Sequence, residues 1–306
     1  MHWSRKICIG GALLASLASC APMHPPANRQ LVWADEFDGD ALDLRCWERV
    51  VDAPPWDPQQ SFAYIDSPET LHFRDGELLI DLYRRPAELN GRTLDYVSAQ
   101  ITTRDRAAWT YGYYEARMRM PPQAGAFPAL WMMPQFETLG HWPASGEIDI
   151  IEYISRENNT AHTTIHFAGA DGAHVALGNG FGAAAPLSNG FHVYGFEWRP
   201  GVMRWYLDNR LIFETRDWHR PNVRRRPSAP FDEPFYLLLN LAVGGSWAHE
   251  PPQDVAYPMQ LAVDYIRVYS IPGVEAHGPR LEGGACPAGG PSGPGPSLAQ
   301  TESADR

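Results

Sequence analysis

Lysine is almost missing from this chain of 306 residues: Lys6 is the single one, and every other basic residue except histidine is arginine. Basic residues number 25 against 36 acidic ones, giving a formal net charge of −11 and a pI near 5.4. With no basic field, a function that follows nucleic-acid phosphates is disfavoured. Cysteines are few, four in all, and no CxxC or Cys/His spacing suggests zinc. Amphipathic helical stretches of ten or more residues are hard to find. The one long apolar run, near the N-terminus, falls short of the ~20 residues a helix needs to cross a bilayer. Charged residues make up 20% and hydrophobic ones 44%, which excludes a disordered chain and supplies a sizeable core. What is plentiful is aromatic: 11 Trp, 13 Tyr and 12 Phe. Such an excess either packs a β-rich core or lines a surface that stacks on sugars.

The ends of the chain read differently from its middle. Arg5 and Lys6 precede an apolar run over 7–17, closed by Leu17-Ala18-Ser19-Cys20. Residues 1–19 therefore read as a secretory signal. The closing four resemble the bacterial lipoprotein box, in which Cys20 carries lipid and 20–30 form a lipid-anchored spacer. The expectation is an exported protein held to the cell envelope, or otherwise secreted, touching membrane only through that lipid. Beyond 271 the chain turns to glycine and proline and cannot bury enough apolar surface to offset its ordering entropy, so 272–306 read as a disordered tail. The folded unit is 31–271, without internal repeats and expected as a monomer. Cys46 and Cys286 remain after export; a disulfide is allowed in that compartment, and the spacing leaves their pairing open.

Within 31–271 the hydrophobic period is two. Strand-like runs occur at 78–83, 113–120, 191–198, 203–207, 211–213, 235–243 and 261–269, and Asp208-Asn209 marks a hairpin. Strands recurring without intervening helices argue for a large, mostly antiparallel all-β sandwich or jelly roll and against a β/α barrel.

The most informative segment is 142–153, WPASGEIDIIEY. Ile148, Ile150, Ile151 and Tyr153 make it a strand. Glu147 and Asp149 are two apart and share a face, but Glu152 is five from Glu147 and in a regular strand points the other way. All three carboxylates share a face only if a β-bulge near Ile150-Ile151 adds a residue, and bulges are enriched beside active sites. Like charges crowded on one strand cost stability unless a site uses them, and crowding raises one pKa while another group stays ionised. A protonated acid beside a carboxylate is what glycoside hydrolysis needs, at ~5–5.5 Å in retaining enzymes. With the bulge, the Glu147 and Glu152 Cα atoms lie ~13 Å apart, and side chains leaning inward over Asp149 close that gap. Spacing does not say which Glu is the acid.

Glu147-Ile148-Asp149-Ile150-Ile151-Glu152 resembles the active-site signature of glycoside hydrolase family 16, in its bulged laminarinase form. Segments 31–39 (LVWADEFDG), 111–117 (YGYYEAR), 127–134 (FPALWMMP), 191–194 (FHVY), 234–245 (PFYLLLNLAVGG) and 263–269 (VDYIRVY) resemble the family's strands in order. The resemblance covers about 240 residues and implies a concanavalin-like β-jelly-roll sandwich with a substrate cleft on its concave face. It makes Glu147 the nucleophile, Glu152 the acid/base and Asp149 the residue orienting the nucleophile. It also implies sugar contacts for Trp142, Trp131 and Trp247, and for the cleft groups Glu115, Arg117 and His166. No catalytic cofactor is implied, but a structural calcium at Glu36, Gly76 and Asp264 is.

Each supporting residue has a plainer reading: core filling for the tryptophans, a cross-strand ion pair for Glu115 and Arg117, a structural role for His166, surface acids for Glu36 and Asp264. Arg224-Arg225-Arg226 offer a contact to a sulfated glycan or are a solvated loop. Departures from the family pattern are Phe127 in place of Trp, Gln100 in place of a basic residue, and Ser246 and Ala248-His249 in the loop after Gly244-Gly245. The expected activity is endo-hydrolysis of β-1,3-glucan (laminarin-like). Alternatives are agar- or carrageenan-type galactan or mixed-linkage glucan hydrolysis, transglycosylation, and a non-catalytic lectin-like module.

Overall fold

Alternation of apolar and polar side chains resolves into strands along nearly the whole folded region of the computed structural model. The structure describes residues 24–53, 57–218, 226–274, 286, 287 and 290. The expected signal at 1–19, Cys20 and most of the expected tail lie outside them. The strands are β1 (Gln30–Asp35), β2 (Glu48–Arg49), β3 (Phe62–Tyr64), β4 (Leu71–Arg74), β5 (Glu77–Leu89) and β6 (Arg92–Ser98). Then follow β7 (Gln100–Thr102), β8 (Gly112–Arg119), β9 (Ala126–Pro134), β10 (Glu147–Tyr153), β11 (Thr160–Ala168) and β12 (His174–Gly182). The last are β13 (His192–Arg199), β14 (Val202–Leu207), β15 (Arg210–Thr215), β16 (Phe235–Val243) and β17 (Met259–Ser270). Helix is limited to one 3₁₀ turn and the four residues of α1 (Gly245–Ala248), none long enough to cross a membrane among the described residues.

These strands make two sheets, the jelly-roll sandwich expected from the sequence. One has ten strands along β15-β14-β13-β8-β17-β5-β6-β3, with β1 on β17 and β4 on β5; the other has seven, β12-β11-β10-β9-β16-β7-β2. Neighbours pair antiparallel except β3 with β6. The β14–β15 hairpin turns at Asp208 and Asn209, both with positive φ, as their residue types favour. Inward residues of both sheets, among them Tyr114, Ala116 and Met118 of β8 and Phe235, Leu237 and Leu239 of β16, form one core. The period of two then sends the alternate residues outward. On β9, β10 and β11 these are Trp131, Glu147, Asp149, His162 and His166. The folded unit reaches past its expected boundary: Cys286 is bonded to Cys46 and packs on the core.

Candidate active site

The backbone of β10 leaves regular pairing just after Asp149. Its register with β11 slips between Asp149 and Glu152, and its register with β9 between Asp149 and Ile151. Ile150 and Ile151, although consecutive, both enter the core. That extra inward residue returns Glu152 to the outer face beside Glu147 and Asp149, as the odd spacing requires of a shared site. The distortion is supported from the opposite sheet: the Trp205 indole N–H of β14 donates across the core to the Asp149 carbonyl at 2.9 Å. Glu147, Asp149 and Glu152 stand opposite His166, Thr164 and His162 of β11, while Asp149 faces Trp131 across β9.

The two glutamates have unequal surroundings. Trp142, in the loop between β9 and β10, donates its indole N–H to Glu147 Oε2 at 2.5 Å. This loop joins β10 at Gly146, whose φ is 87° and whose Cβ, were there one, would lie 2.8 Å from the Phe231 ring. His166 Nε2 lies 3.2 Å from Asp149 Oδ2, a buried oxygen that takes part in no hydrogen bond among the described residues. Burial raises the Glu147 pKa, and His166 and the Trp142 N–H counter that rise. Burial and then the charge of Glu147 push Asp149 well above its usual range. Glu152 is also pushed well up, by burial and then by Asp149 and Glu147, with only a Thr164 hydrogen bond opposing. Burial lowers His166, and Glu147 pulls it back. The site therefore biases both Asp149 and Glu152 toward holding a proton, while giving Glu147 the groups that stabilise an anion.

Two exposed tryptophans flank the acidic row. Trp142 stands over the Glu147 end and Trp247, on α1, lies edge-on to His162 (5.0 Å between centroids) at the Glu152 end. Trp131 lies between them, its indole N–H bonded to Asn240 Oδ1 at 2.8 Å. Phe127, the departure from the family's Trp, packs against Trp247. Flat apolar faces spaced along an acidic row suit the faces of successive sugar rings.

Glu115 and Arg117 do not join this site. They share a face, as their spacing demands, but β8 belongs to the ten-stranded sheet and the face is its outer one. There Glu115 is buried, accepting from Arg29 and the Tyr265 hydroxyl, and Arg117 pairs with Asp264 and covers the Phe191 ring. Their sequence match to the family places a strand, and the strand lies on the wrong side of the sandwich for a substrate contact. The two carboxylates implied for calcium are likewise engaged with cations. Both Glu36 oxygens accept from Arg267 (2.8 and 2.6 Å), and Asp264 accepts from Arg117. Gly76 sits in the turn before β5, facing Asp38. Calcium takes six to eight oxygens. With two of its carboxylates held by guanidinium groups, this arrangement does not offer them, and among the described residues no other cluster of His, Cys, Asp or Glu is placed to hold a metal. Arg226 is bound to Asp232 and Glu233, and Arg224 and Arg225 lie outside the described residues.

Sequence reasoning missed His162 and His174. His162 lies four residues before His166 on one alternating strand, so the period of two already put both on one face. His174 had no local signal, because only the β11–β12 pairing brings it near.

This site and fold have counterparts. The family described as glycosyl hydrolases family 16 matches residues 59–267. The beta-glucanase of Rhodothermus marinus is 37% identical over 275 residues, covering 86% of this chain and 92% of its own. The glucan endo-1,3-beta-glucosidase of Cryptopygus antarcticus is 34% identical over 244 residues, covering 78% and 88%. Among solved structures, the laminarinase from Rhodothermus marinus superposes with a TM-score of 0.69 at 36% identity, over 80% of this chain and 98% of that one. With its bulged acidic strand in a two-sheet jelly roll, and with a match spanning more than half its length, this chain belongs to glycosyl hydrolase family 16 and is a glycosyl hydrolase.

Proposed function

We propose that this enzyme is a retaining endo-glycosidase that hydrolyses β-1,3-glucan by double displacement. The observation that carries the roles is the asymmetry along β10: Glu147 has the Trp142 N–H and His166 beside it, whereas Glu152 faces two carboxylates. Glu152, protonated, gives its proton to the glycosidic oxygen as that bond breaks. Glu147 attacks the anomeric carbon and forms a glycosyl ester. Glu152, now a carboxylate, takes a proton from water, whose oxygen displaces Glu147 from the sugar. Asp149, buried between them, couples their charges and holds His166. The β-1,3-glucan assignment is supported by the relatives above, which are named for glucans. The Cys46–Cys286 bond fits action outside the cytoplasm, where disulfides persist.

Reducing-sugar release from laminarin, lichenan, agarose and carrageenan, measured side by side, tests the substrate. Laminarin is expected to be cleaved fastest, and activity confined to a sulfated galactan overturns the assignment. Glu147→Gln should abolish turnover while leaving glycan binding. Glu152→Gln should slow hydrolysis on the order of 10²–10⁴-fold where the leaving group needs a proton. Unchanged product release in either variant removes that residue from its role.

A further inference from the structure

On the outer face of the seven-stranded sheet, beside the Glu147 end of the acidic row, lies a histidine outside the mechanism above. His174 opens β12, where it pairs with Ala168, while His166 pairs with Ala176. The two histidines are thus diagonal neighbours on one face, within reach of each other's rings. The turn before His174 is closed by hydrogen bonds from Gly169 N–H to the Ala173 carbonyl and from Ala173 N–H to Asp171 Oδ1. These fix where β12 starts.

His174 makes two separate contacts. Its Nε2 lies 2.8 Å from His166 Nδ1, with the rings stacked at 5.1 Å. Its ring also lies 4.7 Å from the Trp142 indole, closer than His166, whose ring centroid is 6.2 Å away. Both partners of His174 touch the acidic row directly: Trp142 donates to Glu147 Oε2, and His166 Nε2 approaches Asp149 Oδ2. We propose that His174 is a positioning residue for the nucleophile, fixing the Trp142 indole by ring contact and the His166 tautomer by a hydrogen bond.

Counting donors gives two arrangements, told apart by whether Asp149 carries a proton. The bond between the histidines holds one proton. When His174 Nε2–H donates it, the proton of neutral His166 sits on Nε2, 3.2 Å from Asp149 Oδ2, a buried oxygen that takes part in no hydrogen bond among the described residues. The reverse arrangement leaves His166 Nε2 bare against that carboxylate unless Asp149 itself carries a proton. An outer hydrogen bond that selects the working nitrogen of an imidazole is a familiar device. The ring contact does a different job. Trp142 is 47% exposed on a loop, and the His174 ring lies against its indole. Without that ring the indole gains rotamers that take its N–H away from Glu147 and its face away from the sugar.

The inference rests on Glu147 being the nucleophile. Its two halves separate by substitution, because Gln at 174 places an N–H near the His Nε2 position without a ring, and Phe places a ring without a donor. On laminarin, His174→Ala should lower kcat about tenfold and raise KM, a loss in the range that small misplacements of catalytic groups produce. His174→Gln should recover most of kcat with KM still raised, and His174→Phe should recover KM with kcat still low. Thermal melts of all three establish the folded fraction. If the three behave as wild type, or lose apparent kcat only in proportion to their folded fraction with KM unchanged, His174 has no positioning role. A wild-type enzyme that turns over laminarin while Glu147→Gln does so equally well removes the nucleophile reading instead, and this inference with it.

Discussion

At the scale of single residues, carboxylates of one chemical type behave differently according to what surrounds them. Glu147 and Glu152 differ in their neighbours, not their chemistry. Asp35 provides a third case, away from the site. It is 6% exposed, accepts from the Trp47 indole N–H at 2.8 Å and the Phe37 N–H at 3.0 Å, and sits among Trp33, Trp47 and Phe37. Burial outweighs those hydrogen bonds and pushes its pKa up to about 6. The folded protein therefore binds this proton more tightly than the unfolded chain. The stabilisation it brings is complete below about pH 4 and is lost as pH rises through about 6, a difference of about 3 kcal/mol by pH 7. In melts from pH 4 to pH 7, wild type should lose more stability than Asp35→Asn. Parallel curves for the two proteins contradict the buried-acid account. The sequence alone did not mark Asp35 out, since neither its burial nor its indole donor is a local property.

At the scale of elements, the bulge of β10 is where local pattern and tertiary support meet. The odd Glu147–Glu152 spacing made a bulge necessary for a shared site and placed it at Ile150-Ile151, where the register does slip. The sequence said nothing about what satisfies the backbone there. That partner is Trp205, 56 residues away on the other sheet. A buried carbonyl stripped of its donor costs about 1–3 kcal/mol. Trp205→Phe should lower the urea midpoint accordingly and reduce kcat by loosening the turn that aims Glu152. Full kcat in a destabilised protein means that β10 holds its bulge unaided. The limits of pattern also show at this scale. Alternation correctly put Glu115 and Arg117 on one face of β8, yet a strand's own residues do not state which sheet it enters. Partner choice decides that, and β8 lies between β13 and β17.

At the scale of the whole molecule, the Cys46–Cys286 bond joins points 240 residues apart. Close by, Gly290 (φ 91°) passes so near β1 that a Cβ there would sit 2.1 Å from the Ala34 carbonyl oxygen. Part of the expected tail thus belongs to the fold. A bridge closing so long a loop contributes about 2–4 kcal/mol. Cys286→Ser should lower Tm by roughly 5–15 °C for a domain of this size. Activity at 25 °C should persist, because β9, β16 and β7 separate β10 from β2, beside which Cys46 lies. An unchanged Tm, or free thiols at both positions in the purified, non-reduced protein, contradicts this role for the bridge.

The amino-acid sequence by itself determined the all-β class, eight of the seventeen described strands (β5, β8, β10 and β13–β17), the acidic trio and the need for a bulge between its last two members. Each of these follows from the side-chain period of two, which is a property of neighbouring residues. Only the tertiary structure decided which sheet each strand joined, what held the bulge, which glutamate met the indole and the histidine pair, and that Cys286 folds back onto Cys46. Those outcomes depend on which residues far apart in the chain share buried space, where an unpaired polar group is costly and a neighbouring charge is felt strongly.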